Sequence, residues 1–107
     1  MDGIIASCRK ANPHTEYLLI SSMNGNPDWK YTRPGKDRLF SDAMQKYASS
    51  QDSSVAIANN FIFWQQLQQH KSYFDITGNG VNHPNDYGHR FQASAILHTL
   101  DQDGEYF

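Results

Sequence analysis

The chain of 107 residues holds one cysteine, Cys8. No intrachain disulfide can form, and no zinc site built on several thiolates can come from this chain alone. Long apolar runs are also missing: stretches such as "YLLI" and "FIFW" reach only four residues, against about 20 for a membrane-spanning helix. The opening "MDGIIASCRK" lacks the basic start and apolar centre of a signal peptide. The compartment stays open, because a leader on a longer chain would not appear in these residues. Nor is there an excess of positive charge. Lys and Arg total 9 against 11 Asp and Glu, a net charge of −2, so neither nucleic acid nor an anionic membrane is an expected partner. The length suits one small domain, which buries roughly two-thirds of its unfolded surface and has a modest core.

What is present reads as alternating helix and strand. Ile4, Ile5, Cys8 and Ala11 are spaced as on one helical face over residues 1–12, and Pro13 forces Asn12 out of the helical region. "TEYLLISS" (15–22) predicts a strand whose continuously apolar centre, Tyr17 to Ile20, implies cover on both faces. Turn formers crowd residues 23–36, a connection long enough to suggest a role of its own. A helix follows over 37–50, capped by Asp37 or Ser41, with Leu39, Phe40, Ala43, Met44 and Tyr47 on one face. A strand is expected at 53–58. Next comes a helix at 60–72 capped by Asn59 or Asn60, with Phe61, Trp64 and Leu67 inward. Residues 73–86 read as loop, and a last helix over 87–100 presents Phe91, Ala95, Ile96 and Leu100. The acidic tail "DQDGEYF" is expected to fray. Trp29 and Trp64 read as packing residues, and His14, His70 and His98 as solvent-facing.

This order of about two strands and four helices argues for an α/β protein with a parallel sheet. Two strands make a very small parallel sheet, so the chain reads as part of a domain, with a complete minimal fold as the alternative.

The chemistry concentrates in "NHPNDYGH", residues 82–89. Asp86 and His89 are three apart, which on a helical turn places carboxylate and imidazole on one face. A carboxylate on one ring nitrogen fixes the tautomer and stabilises the imidazolium formed when the other takes a proton, as a general base requires. The plainer reading makes Asp86 the helix cap and His89 a surface residue. A third makes His83, Asp86 and His89 zinc or iron ligands, although Pro84 bends the segment and moves His83 off the helical face.

"GNGVNHPNDYGHRFQASAIL" resembles the last sequence block of the SGNH hydrolases, the GDSL-type esterases and lipases. "RKANPHTEYLLISSMNGNPDW" is similar to that family's penultimate strand and following loop, and "VAIANNFIFWQQLQQHKSYFDIT" to its last strand and helix. The resemblance covers nearly the whole chain. It implies that residues 1–107 form a single partial domain: the C-terminal part of a three-layer α/β/α sandwich with a parallel, flavodoxin-like sheet. It also implies hydrolysis of carboxylic esters or deacetylation of small esters, acylated carbohydrates or lipids. His89 matches the general base and Asp86 the group that orients it. Asn82, His83 and Asn85 match the adjoining loop without a catalytic role. No cofactor and no metal is implied.

The departure from the family lies in what the chain omits. The nucleophile of a Gly-Asp-Ser block and the oxyanion donors of a Gly-x-Asn-Asp block do not occur, nor does a Gly-x-Ser-x-Gly elbow. Ser21 and Ser22, near the end of the first strand, are candidates for a replacement nucleophile, with pocket lining as their plainer role. Base catalysis alone contributes about 10²–10⁴-fold, so the chain by itself is expected to be inactive. The exposed edge of the first strand is expected to recruit the missing N-terminal half or a second copy. The alternatives to an esterase fragment are a non-catalytic interaction module and the His/Asp metal site.

Overall fold

The structure, a computed structural model, describes residues 1–101. The expected fraying from residue 101 onward therefore falls almost wholly outside the described residues. The elements run α1 (Asp2–Ala11), β1 (Tyr17–Ile20), α2 (Lys36–Ser49), β2 (Val55–Ala58), α3 (Asn60–Leu67), α4 (Tyr73–Ile76) and α5 (Asp86–Leu100). The strands are parallel, with Tyr17 opposite Val55 and Ile20 opposite Ala58. The protein is thus a small α/β fold with a two-stranded sheet among its described residues and one helix more than the sequence predicts.

The additional helix is α4, inside the stretch expected to be loop. A single turn is too short to show apolar periodicity, but its capping signal is present: the Ser72 N–H donates to Asp75 Oδ2 at 2.8 Å, as does the Ser72 hydroxyl. α3 ends at Leu67, short of the expected residue 72. At the start of α2 neither Asp37 nor Ser41 is the cap. Gly35 holds that place at φ +86°, a left-handed conformation that suits glycine.

The sheet's odd-numbered residues face one core cluster, while Ala58, of the opposite parity, is also fully buried. Ile5 of α1, Ala48 of α2 and Val55 are buried together, with Tyr17, Leu19, Tyr47 and Ile57 packed around them. The expected inward face of α2 is displaced by about a third of a turn: Ser41 and Ala48 are buried, while Leu39 and Phe40 are 69% and 66% exposed. On α1 only Ile5 is buried, and Ile4 and Cys8 are exposed. On α5 Ala95 is buried and Phe91 and Ile96 are half-buried, while Leu100 is exposed. These corrections share one cause: two short strands offer too little surface to cover every apolar stripe the helices carry.

The expectation that β1 is covered on both faces also fails. Ile20 is 47% exposed. The Tyr17 N–H donates to the Ser54 carbonyl at 2.8 Å and the Ser21 N–H to the Ala58 carbonyl at 3.2 Å. By the two-residue period, Leu18 and Ile20 turn their backbone groups to the other edge of β1, where no strand pairs among the described residues. No helix among the described residues is long and apolar enough to cross a membrane.

Candidate active site

A buried polar knot locks the C-terminal ends of the two strands. Asn59 caps α3, and its Oδ1 accepts from the Ile62 N–H at 3.4 Å, the Ser21 hydroxyl at 3.0 Å and the Ser41 hydroxyl at 2.8 Å. Ser21 Oγ in turn accepts from the Phe61 N–H at 3.1 Å. Ser21 is 3% exposed with its hydroxyl committed in both directions, so it ties β1 to α3 and cannot serve as an attacking oxygen. Ser22 is exposed and borders the cleft beneath the 23–36 connection.

That connection is fastened to the segment ahead of α5. Asn26, 7% exposed, donates its backbone N–H to the Val81 carbonyl at 2.8 Å and its Nδ2 to the Gly80 carbonyl at 2.7 Å. The Tyr73 hydroxyl donates to the Gly25 carbonyl at 2.7 Å, and burial pushes the pKa of this phenol up. Because residues 23–36 leave the C-terminal end of β1, these bonds bring residues 78–85 and the start of α5 to that end of the sheet. Ligand groups of parallel α/β sheets are presented there.

Residues 76–85 form a closed loop. Thr77 and Pro84 make an antiparallel bridge. The Gly78 N–H donates to the His83 carbonyl at 2.8 Å, and the Asn85 N–H to the Ile76 carbonyl at 3.1 Å. Inside the loop Asn79 Oδ1 accepts from the N–H groups of Val81, Asn82 and His83 at 3.0–3.1 Å. His83 Nδ1 lies 2.6 Å from Asn82 Oδ1 and 2.8 Å from Asn79 Nδ2. Its ring is therefore held by the loop. Among the described residues no three His, Cys, Asp or Glu side chains converge as a metal site would need, so the structure does not assemble His83, Asp86 and His89 into the ligand set their spacing allowed.

The helix cap falls one residue before Asp86. Asn85 Oδ1 accepts from the Gly88 N–H at 3.0 Å, and Asn85 Nδ2 donates to the Asp75 carbonyl at 3.0 Å. The plain-cap reading of Asp86 is corrected here, because Asn85 takes that duty and leaves the carboxylate uncommitted. Asp86 and His89 are both exposed on the first turn of α5. Among the described residues no hydrogen bond or ion pair joins them; the one ion pair is Arg9 with Asp52. Side chains three apart on a helix start about 5–6 Å apart at Cβ, so rotation of the two side chains suffices to close the pair.

The first turn of α5 is seated on Trp64, which is fully buried and meets Phe91 edge-on at 6.3 Å between ring centres. Gly88 makes that approach possible. A Cβ there would collide with the Ile76 carbonyl oxygen and lie 3.0 Å from both Pro84 Cβ and Trp64 Cη2. Trp64 is core packing as expected, whereas Trp29 is 41% exposed. His14, His70 and His98 are exposed, as expected. Of the positioning residues, Asn26 and Tyr73 bond to partners 48 to 55 residues away, too far along the chain for spacing to reveal, whereas Asn79 and Asn85 bond within their own segment.

No family model, curated protein or solved structure matches the chain.

Proposed function

We propose that this chain supplies the acid–base part of an SGNH-type serine esterase, with His89 as general base and Asp86 as the carboxylate that orients it. The observation that carries the reading is the division of labour at the start of α5: Asn85 caps the helix, so Asp86 is left free on the same turn as His89. Asp86 would accept from one ring nitrogen of His89. The other nitrogen would take the serine proton during attack on an ester carbonyl and return it to the leaving alcohol. The location at the C-terminal end of a parallel sheet supports this reading. In the same proposal the fold is the C-terminal part of a three-layer α/β/α sandwich. Supporting that, α1 and α2 pack with the odd-numbered strand residues, and the end of α5 borders Leu18 and Ala56, which have the opposite parity. The serine and oxyanion donors belong to polypeptide that pairs with the free edge of β1.

The test is hydrolysis of short-chain nitrophenyl esters by the chain expressed together with whatever is encoded upstream of Met1. His89→Ala and Asp86→Ala should each lower kcat by about 10²-fold or more. Hydrolysis unaffected by both substitutions would sink the assignment. A second reading, a non-catalytic interaction module, is favoured by the open edge of β1 and the exposed Ile20 beside it. It predicts tight association through that edge with no ester hydrolysis in the assembled protein.

A further inference from the structure

The 23–36 connection does more than fasten the start of α5. It carries Trp29 and Tyr31, 41% and 63% exposed, their rings edge to face at 5.1 Å. The two rings border a cleft of about 400 Å³ that also takes in Ser22, Thr32, Arg33, Lys36 and Asn82. Asn82 belongs to the loop that leads into α5, although neither Asp86 nor His89 lines the cleft.

Exposed aromatics are ordinary on a protein surface, and what distinguishes these two rings is their support. These are held out on a fixed frame. The Trp29 N–H donates to the Asn26 carbonyl at 3.1 Å and the Thr32 N–H to the Trp29 carbonyl at 2.9 Å, while Asn26 itself is anchored to Gly80 and Val81. A platform ordered before it binds loses little entropy on binding. Its chemistry is mixed. Flat ring faces suit the C–H face of a sugar, and hydroxyls and amides from Ser22, Thr32 and Asn82 suit its hydroxyl groups. A fatty acyl chain would instead need a closed apolar slot.

The charge of the cleft narrows the ligand further. Arg33 and Lys36 line it, and neither makes an ion pair among the described residues. Asp37, the acidic residue of the same lining, is turned to the Gly25 N–H, 3.1 Å from its Oδ2. Lys30 lies outside the lining, its ammonium over one face of the Tyr31 ring at 4.7 Å from the centre. With the Asp37 carboxylate counted, the lining carries a net single positive charge, on a chain of net charge −2. We propose that the Trp29–Tyr31 cleft binds an acidic carbohydrate, a uronate-bearing sugar chain, with the ring stacked on the aromatics and the carboxylate met by Arg33 and Lys36. As the substrate-holding part of an esterase it rests on the reading above; as a binding site it rests on the cleft alone.

The test is calorimetric titration of the full chain with trigalacturonate and with neutral maltotriose. Saturable binding of the uronate is expected, weakened by added salt, with maltotriose binding at least about tenfold more weakly. Trp29→Ala and Tyr31→Ala should each reduce uronate affinity by about tenfold. Arg33→Gln with Lys36→Gln should remove the preference for the charged sugar. Binding is read without any hydrolysis, so a failed esterase assay and a failed binding assay are separate results. No saturable binding of trigalacturonate, equal binding of maltotriose, or uronate affinity indifferent to Trp29→Ala in a variant with unchanged near-ultraviolet circular dichroism would overturn the proposal.

Discussion

Replacing Gly88 by alanine tests how α5 is seated. In an exposed helix interior the change would stabilise by about 1 kcal/mol, because glycine loses more backbone freedom on folding. At residue 88 the new methyl meets groups that cannot yield cheaply. The Ile76 carbonyl is backbone, fixed by the Asn85 N–H at 3.1 Å. Pro84 is held by its bridge to Thr77, and Trp64 is fully buried. Overpacking of this kind costs about 1–3 kcal/mol. If the first turn lifts away to relieve it, the bond from the Gly88 N–H to Asn85 Oδ1 is lost, about 1 kcal/mol more. The net expectation is a destabilisation of about 1–3 kcal/mol, a fall in Tm of roughly 5–20 °C for a domain of this size. Gly3 on α1 is the internal control, since a Cβ there meets nothing within 4 Å. Gly3→Ala should raise Tm slightly. Thermal melts followed by circular dichroism decide the matter, and a Gly88→Ala protein as stable as the parent would refute the seating described above.

Asn59→Ala removes the shared acceptor of two buried hydroxyls and the cap of α3; it should lower urea stability by about 3 kcal/mol, and a loss below about 1 kcal/mol would show the knot to be dispensable. The Ser72 backbone N–H, followed by its hydroxyl, holds the Asp75 carboxyl below the usual carboxylate range. A depressed folded pKa stabilises above the unfolded value of about 3.9 and is lost as pH falls through the folded one, so Asp75→Asn should reduce the acid sensitivity of stability below about pH 4 in a pH series of melts. Ile20→Pro removes an N–H that faces the open edge of β1 and leaves the bonds to β2 in place; sedimentation should show self-association of the parent chain and less of it in the variant, and a monodisperse parent monomer with a cooperative melt would contradict the edge argument.

The strands, the α/β order and the four longer helices could be read from apolar patterning because each spans several residues of consistent period. Which way a helix faces could not. Leu39 and Phe40 look like the core side of α2, yet Ser41 is buried in their place because Asn59, eighteen residues on, offers its hydroxyl an acceptor. A hydrophobic stripe records only the residue types on a helix. The buried side depends on partners elsewhere in the chain, and a polar residue with a good partner is buried as readily as an apolar one. The same limit hid the frame of the candidate site. Asn26 and Tyr73 look like ordinary loop residues until their bonds to Gly80 and Gly25 are known.

The Asp-x-x-His spacing illustrates what geometry adds to a motif. One carboxylate cannot both cap a helix and orient an imidazole, because each duty takes the oxygen to a different place. The spacing of Asp86 and His89 fits either duty, and Asn85 is as good a cap as aspartate. What removes the capping duty from Asp86 comes from outside the motif. Asp75 holds Ser72 through its side chain and receives Asn85 Nδ2 at its own carbonyl; Asn85 Oδ1 then accepts from Gly88. A continuous run of bonds from α4 thereby fixes Asn85 as the cap, and Trp64 beneath Gly88 fixes the turn that follows. Asp86 is free because its neighbour is not. In such a segment the residues that leave Asp86 free for the role proposed above are a neutral amide and a glycine, neither of which carries any acid–base chemistry of its own.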